Sequence, residues 1–153
     1  MDPGLRFANP GMGGDLFGTK LMTHQILHPP GWPRPKGYAN GIAASGRFVF
    51  TAGIVGWDEQ EAFPHKDIAG QFRQALLNAR AILAEGGAAP ADIVRITCYV
   101  TDKRDYIAAR ADIGEAWREI LGKVFPCMAV VEVSALVEDE AKVELEVTAV
   151  VAT

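Results

Sequence analysis

Val124-Phe125-Pro126-Cys127-Met128-Ala129-Val130-Val131-Glu132-Val133 and, after a loop, Lys142-Val143-Glu144-Leu145-Glu146-Val147-Thr148-Ala149-Val150-Val151 are the stretch from which the fold is read. In the second segment Val143, Leu145, Val147, Ala149 and Val151 alternate with Lys142, Glu144, Glu146 and Thr148. Successive side chains of a strand point to opposite faces, so this segment covers a core on one side and turns its carboxylates outward on the other. The pair predicts neighbouring strands, and the chemistry is expected beside them.

Working outward, Val94, Ile96, Cys98 and Val100 alternate with Arg95, Thr97 and Tyr99, which predicts a third strand. Tyr106, Ala109, Ile113, Ala116, Trp117, Ile120 and Leu121 recur at helical spacing and predict one helix over residues 105–121, stopped by Gly122. An earlier helix is predicted from Ile68, Phe72, Ala75, Leu76, Ala79, Ile82 and Leu83, capped by Asp67 and ended by Gly86-Gly87. Residues 38–44 and 48–54 read as a hairpin turned at Ser45-Gly46-Arg47. Residues 29–37 carry too many prolines for a helix or central strand, so they form an extended loop that delivers Tyr38. The order ββαβαββ predicts an α+β domain with a single sheet and two helices on one face.

The chain has 153 residues, 49% hydrophobic and 22% charged, the size of one globular domain able to bury its own core. Residues 1–22 are rich in Gly and Pro without helical or strand period and read as an N-terminal tail, leaving residues 23–153 as the single domain. A net charge of -4 with no Lys/Arg run argues against gripping a phosphate backbone, so no nucleic-acid partner is expected. No segment approaches the roughly 18 apolar residues of a membrane helix, and the N-terminus lacks the basic-then-apolar order of a signal peptide. The expected location is therefore the cytoplasm, with no membrane partner. Cys98 and Cys127 stand far apart and outside metal-ligand spacing, and read as reduced thiols. His24, His28 and His65 also lack ligand spacing and read as loop or surface residues; no metal or cofactor is expected.

Lys36-Gly37-Tyr38, Thr51-Ala52-Gly53, the helix ending in Gly86-Gly87, Asp92-Ile93-Val94-Arg95, Tyr99-Val100-Thr101-Asp102, Phe125-Pro126 and Val143-Glu144-Leu145-Glu146 stand in one order. Together they resemble the landmarks of the Rid family, also called YjgF or endoribonuclease L-PSP, from about Tyr38 to the C-terminus. The resemblance implies a chorismate-mutase-like fold, a homotrimer, and a small-molecule cleft at each subunit interface. For the deaminase branch it implies more. There an arginine after Pro-Ala pairs with the substrate carboxylate, while a strand glutamate and a backbone group handle the water that hydrolyses enamines and imines, releasing ammonia. A guanidinium fork suits a carboxylate, and a carboxylate positions water for attack on an imine carbon.

Carried onto this chain, the resemblance gives catalytic roles to Glu144 and Tyr38 and a ligand-contacting backbone to Gly53. Each residue also has a plainer reading: a solvated sheet face for Glu144, an amphipathic loop end for Tyr38, a bulge or close packing for Gly53. Met128 departs from the pattern, since Pro126-Cys127-Met128 stands where the deaminase branch has Pro-Ala-Arg, and a thioether forms no ion pair. Val130 stands in place of the family cysteine, so Met128, Ala129 and Val130 are expected to form a more apolar ligand-binding wall. Arg110 falls where the deaminase branch carries a helix asparagine. It either supplies the missing guanidinium from the helix side or packs its stem and sends its head to water. Trp32 and Trp57 lie in loops beside the expected entrance, Trp117 reads as helix core, and Glu138-Asp139-Glu140 as a solvated turn.

Two functions compete. One is an enzyme that hydrolyses imines, enamines or related carbonyl compounds; the other is a non-catalytic, small-molecule-binding homotrimer with an apolar cleft. A third, ribonuclease or translation inhibition, follows only from a family name, and the acidic composition lacks the basic patch it would use.

Overall fold

The computed structural model describes residues 24–153. The tail expected over residues 1–22, and the domain start at residue 23, lie outside the described residues. In chain order the elements are β1 (Gln25–Leu27), β2 (Gly41–Ala43), β3 (Arg47–Phe50), β4 (Ile54–Val55), α1 (Ile68–Glu85), a 3-10 turn (Pro90–Asp92), β5 (Ile93–Val100), α2 (Lys103–Ala108), α3 (Arg110–Ile120), β6 (Cys127–Glu132) and β7 (Val143–Val151).

β7 is the hub. It pairs antiparallel with β3 and β4 on one side and with β5 on the other, and β6 adds to β5 in parallel. Val143, Leu145, Val147 and Ala149 are buried on the face toward the helices, together with Ile96, Cys98 and Val100 of β5. The alternation read from the sequence is thus the alternation of the core. Phe72 of α1 and Trp117 of α3 meet with ring centroids 6.4 Å apart. Burying a side chain of the size of Phe72 or Leu76 contributes roughly 1.5–3 kcal/mol. The fold is α+β, as expected, with the helices over one face of the main sheet.

Three details differ from expectation. The hairpin is absent: β2 pairs with β1 in a separate two-stranded sheet, while β3 joins β7. Gly46, at φ 145, lies against the Val151 carbonyl, so the chain crosses the end of β7 instead of folding back on itself. The strand expected over residues 48–54 is interrupted. Its register against β7 slips by one residue between Phe50–Thr148 and Ile54–Leu145, the mark of a bulge at residues 51–53. Thr51 fills the bulge, accepting from Val147 N–H at its Oγ1 at 3.0 Å. Finally, the helix expected over residues 105–121 is two helices, α2 and α3, meeting at Ala109 with φ -93 and ψ 4.

Gln71 ties the first helix to the last strand. It is fully buried, its Nε2 donates to the carbonyls of His65 (3.1 Å) and Glu140 (2.9 Å), and its Oε1 accepts from Lys142 N–H (2.8 Å). The acidic turn expected to be merely solvated is therefore held at its backbone, and Lys66 pairs with the Glu140 carboxylate at 2.5 Å. Gly56 sits against the same turn of α1: a Cβ there would overlap the Gln71 carbonyl oxygen and lie 2.7 Å from its Cα. Helix backbone yields little to such overpacking, so Gly56→Ala is expected to lower stability by about 2 kcal/mol and the melting temperature by roughly 8 °C in a thermal unfolding scan.

Candidate functional site

The helix-facing side of the edge strand and one face of α3 enclose a cavity of about 600 Å³. Register explains which side chains reach it. Met128 and Val130 pair with Ile96 and Cys98, whose side chains enter the core, so all four share the helix-facing side. Cys127, Ala129 and Val131 share the outer face with Arg95, Thr97 and Tyr99. Across the cavity stand Arg110, Ile113, Gly114, Trp117 and Arg118, the successive positions of one helical face. A glycine inside a helix is unfavourable by about 0.5–1 kcal/mol relative to alanine; here Gly114 leaves the cavity deeper than any other residue would.

The far end is closed by loop residues. Ala39 N–H donates to the Pro126 carbonyl at 3.1 Å, which brings Lys36, Gly37 and Tyr38 beside Phe125. The Trp117 indole donates to the Val124 carbonyl at 2.9 Å and holds the turn before β6. Tyr38 is 43% exposed and forms a wall shared with a smaller hollow of about 370 Å³ beside Leu27 and His28.

The break at Ala109 positions Arg110. Ala109 N–H is shared between the carbonyls of Asp105 (3.0 Å) and Tyr106 (3.2 Å), and Arg110 donates its Nε to the Ile107 carbonyl at 3.3 Å. The guanidinium is exposed and retains its terminal donors for a ligand. Tyr106 stands beside it. Burial pushes the Tyr106 phenol pKa up, Cys98 adds to the rise, and Arg110 opposes it.

On the opposite face of the sheet, Glu144 pairs with Val55 and Tyr99 across its two neighbouring strands. A Cβ on Gly53 would overlap Glu144 Oε1 and lie 2.9 Å from its Cδ, so the absent side chain is what gives this carboxylate its place. The two outward carboxylates of β7 are not equivalent. The Glu146 carboxylate, chiefly, with burial and the Glu144 charge behind it, raises the Tyr99 phenol pKa above its ordinary value. Glu144 has no hydrogen-bonding side-chain partner among the described residues.

Of the residues singled out from sequence, Tyr38, Arg110, Met128 and Val130 come together in one cavity. Gly53 and Glu144 come together elsewhere, on the outer sheet face, and Ala129 belongs to that face too. Trp32 is 60% exposed, Trp57 packs on Phe63 at 6.1 Å, and neither lines the cavity. Trp117 is core and cavity wall at once. Burial pushes the Cys98 thiol up to about 12, so it stays protonated and inert. Among the described residues no cluster of His, Cys, Asp or Glu is arranged to hold a metal, and no helix is long and apolar enough to cross a membrane. Sequence reading missed Lys36, Tyr106, Arg118, Lys123 and Phe125 as cavity residues. The helical spacing from Arg110 to Arg118 was the available signal for one of them.

The family model described as Endoribonuclease L-PSP matches residues 33–151. A 2-iminobutanoate/2-iminopropanoate deaminase of Salmonella typhimurium is 34% identical over 113 residues, covering 74% of this chain and 86% of the relative. Among solved structures, the Rid-family protein of unknown function YyfB from Yersinia pestis is similar with a TM-score of 0.75 and 28% identity, over 85% of this chain and 100% of that one. Escherichia coli TdcF with bound serine has a TM-score of 0.61 and 29% identity, over 82% of this chain and 98% of that one.

Proposed function

The chain belongs to the endoribonuclease L-PSP family, known also as Rid or YjgF, and from that membership we propose that it hydrolyses a small carboxylate-bearing imine or enamine at the Tyr38–Arg110–Met128 cleft. The observation that carries this reading is the placement of Arg110. Met128 stands where the deaminase branch has its arginine, and Arg110, tethered to the Ile107 carbonyl at 3.3 Å, faces the same cavity from the helix side. A guanidinium therefore remains available to a carboxylate although its point of attachment has moved. The serine bound by TdcF is itself a small carboxylate.

In this reading the site is completed by a second copy. The stacked rings of Phe48 and Phe50, 55% and 67% exposed at one edge of the sheet, and Val131 at the other make the outer sheet face apolar enough to call for a cover. Three copies packed through these faces in a closed ring bring Gly53 and Glu144 of one to the cleft of the next. Glu144 then takes a proton from water as the water oxygen bonds to the carbon of the protonated imine, giving a neutral carbinolamine. Glu144 returns that proton to the nitrogen, and ammonia leaves as the hydroxyl proton passes back to Glu144 and the carbonyl forms. Tyr38, at the mouth of the cleft, orients the substrate. No metal or cofactor enters these steps, and the cytoplasm is the compartment in which such a protein would meet metabolic imines.

Imines generated in situ by an amino-acid oxidase test the reading. Ammonia release should accelerate in the presence of the protein, and Arg110→Ala should raise KM roughly 10- to 100-fold, the loss expected for a charged hydrogen bond. An unchanged KM would remove Arg110 from the site, and silence across small and large imino acids would remove hydrolysis. A second reading, ligand binding without turnover, draws on one observation: Glu144 does not line the cavity of its own chain. Ligand-dependent thermal stabilisation without ammonia release would favour it.

A further inference from the structure

The cleft holds more positive charge than one carboxylate requires. Lys36, Arg110, Arg118 and Lys123 line it, and no Asp or Glu does. This happens in a chain with 15 Lys and Arg against 19 Asp and Glu. None of the four cations has an ion-pair partner among the described residues. Like charges gathered round an apolar hollow repel one another and focus a positive potential into it, so the favoured occupant carries compensating anionic charge.

The cations are also divided between two ends. β6 runs parallel to β5, so the crossover helix α3 runs back against both. Arg110 therefore lies toward Val130, and Arg118 toward Phe125, separated by about 12 Å along the helix axis at 1.5 Å per residue. The 3.1 Å bond from Ala39 N–H to Pro126 puts the Lys36 loop at the Phe125 end, and the indole bond of Trp117 to Val124 holds Lys123 there as well. Between the ends the walls are Met128 and Ile113.

We infer that the cleft selects an elongated dianion, with a carboxylate on Arg110, an apolar middle over Met128 and Ile113, and a second acid group at Arg118, Lys36 and Lys123. The second group is a carboxylate or a phosphate, which the same cations would hold. The inference rests on the reading that Arg110 grips the substrate carboxylate, and it adds the second group and the span.

Calorimetric titration with suberate, octanoate and an ω-phosphono-octanoate tests it on the full chain. Suberate is expected to bind at least about tenfold tighter than octanoate, a difference near 1.4 kcal/mol. Arg118→Ala and Lys123→Ala should shrink that ratio toward one, whereas Lys66→Ala, outside the cleft, should preserve it. Whichever of suberate and the phosphono acid binds tighter identifies the second group. Equal binding of suberate and octanoate, binding of neither, or a ratio that survives Arg118→Ala combined with Lys36→Ala would overturn the inference. Ammonia assays run in parallel separate the two claims. Preference for dianions without turnover leaves the inference standing and removes hydrolysis, while turnover of monocarboxylate imines with no dianion preference does the reverse.

Discussion

Replacing Glu144 by glutamine is expected to slow imine hydrolysis by about 100- to 10,000-fold, the range that a positioned general base supplies, with KM moving far less. Glutamine keeps the size and the hydrogen-bonding reach of the side chain but cannot accept a proton from water. Gly53→Ala gives an independent check, because its new methyl would overlap the Glu144 carboxylate, the mobile end of a side chain, and not a backbone. That variant should fold normally and lose part of the rate while retaining the acid group. A mixing experiment addresses where Glu144 acts. If the cleft is shared, co-assembly of Glu144→Gln chains with Arg110→Ala chains creates some clefts with both groups intact and restores a turnover at low substrate that exceeds that of either variant alone. Full activity in Glu144→Gln, or no recovery in the mixture, would remove the carboxylate from the shared site.

The second large effect concerns assembly. Phe50→Asp is expected to convert the proposed trimer to monomers in light scattering and to abolish turnover together with it. Phe50 is 67% exposed in the single chain, so a charge there leaves the fold intact and acts on whatever covers the face. Phe48, stacked on Phe50 with centroids 6.0 Å apart, should behave alike. A monomeric wild-type chain, or a Phe50→Asp chain that remains trimeric and active, would count against the shared cleft.

How much of this was legible in the sequence follows from how local each cause is. The core face of β7 and the partner face of β5 could be read directly, because alternation is a property of consecutive residues and the structure preserves it. The stripe of α1 and its Asp67 cap were equally local, and Asp67 does accept from Gly70 N–H at 2.9 Å. The hairpin failed because β2 has three residues and no pattern of its own; its partner was decided by the crossing at Gly46 and by β1. The break at Ala109 carries neither Pro nor Gly to announce it. Within the site, the strand register placed Met128 and Val130 together and Cys127 opposite, as expected from their spacing. What spacing could not supply was that Arg110 and Glu144 lie on opposite sides of the sheet, since that depends on how α3 packs over β6.

α2 buries none of its residues fully, and Tyr106 is the one side chain it packs against the core. An element with so little apolar area enclosed opens locally at a small fraction of the global unfolding free energy. Arg110 hangs from the last turn of that element through the Ile107 carbonyl. Its reach into the cleft is therefore governed by the fraying equilibrium of one short helix, and a ligand that captures the guanidinium would slow amide hydrogen exchange there while leaving β7 untouched.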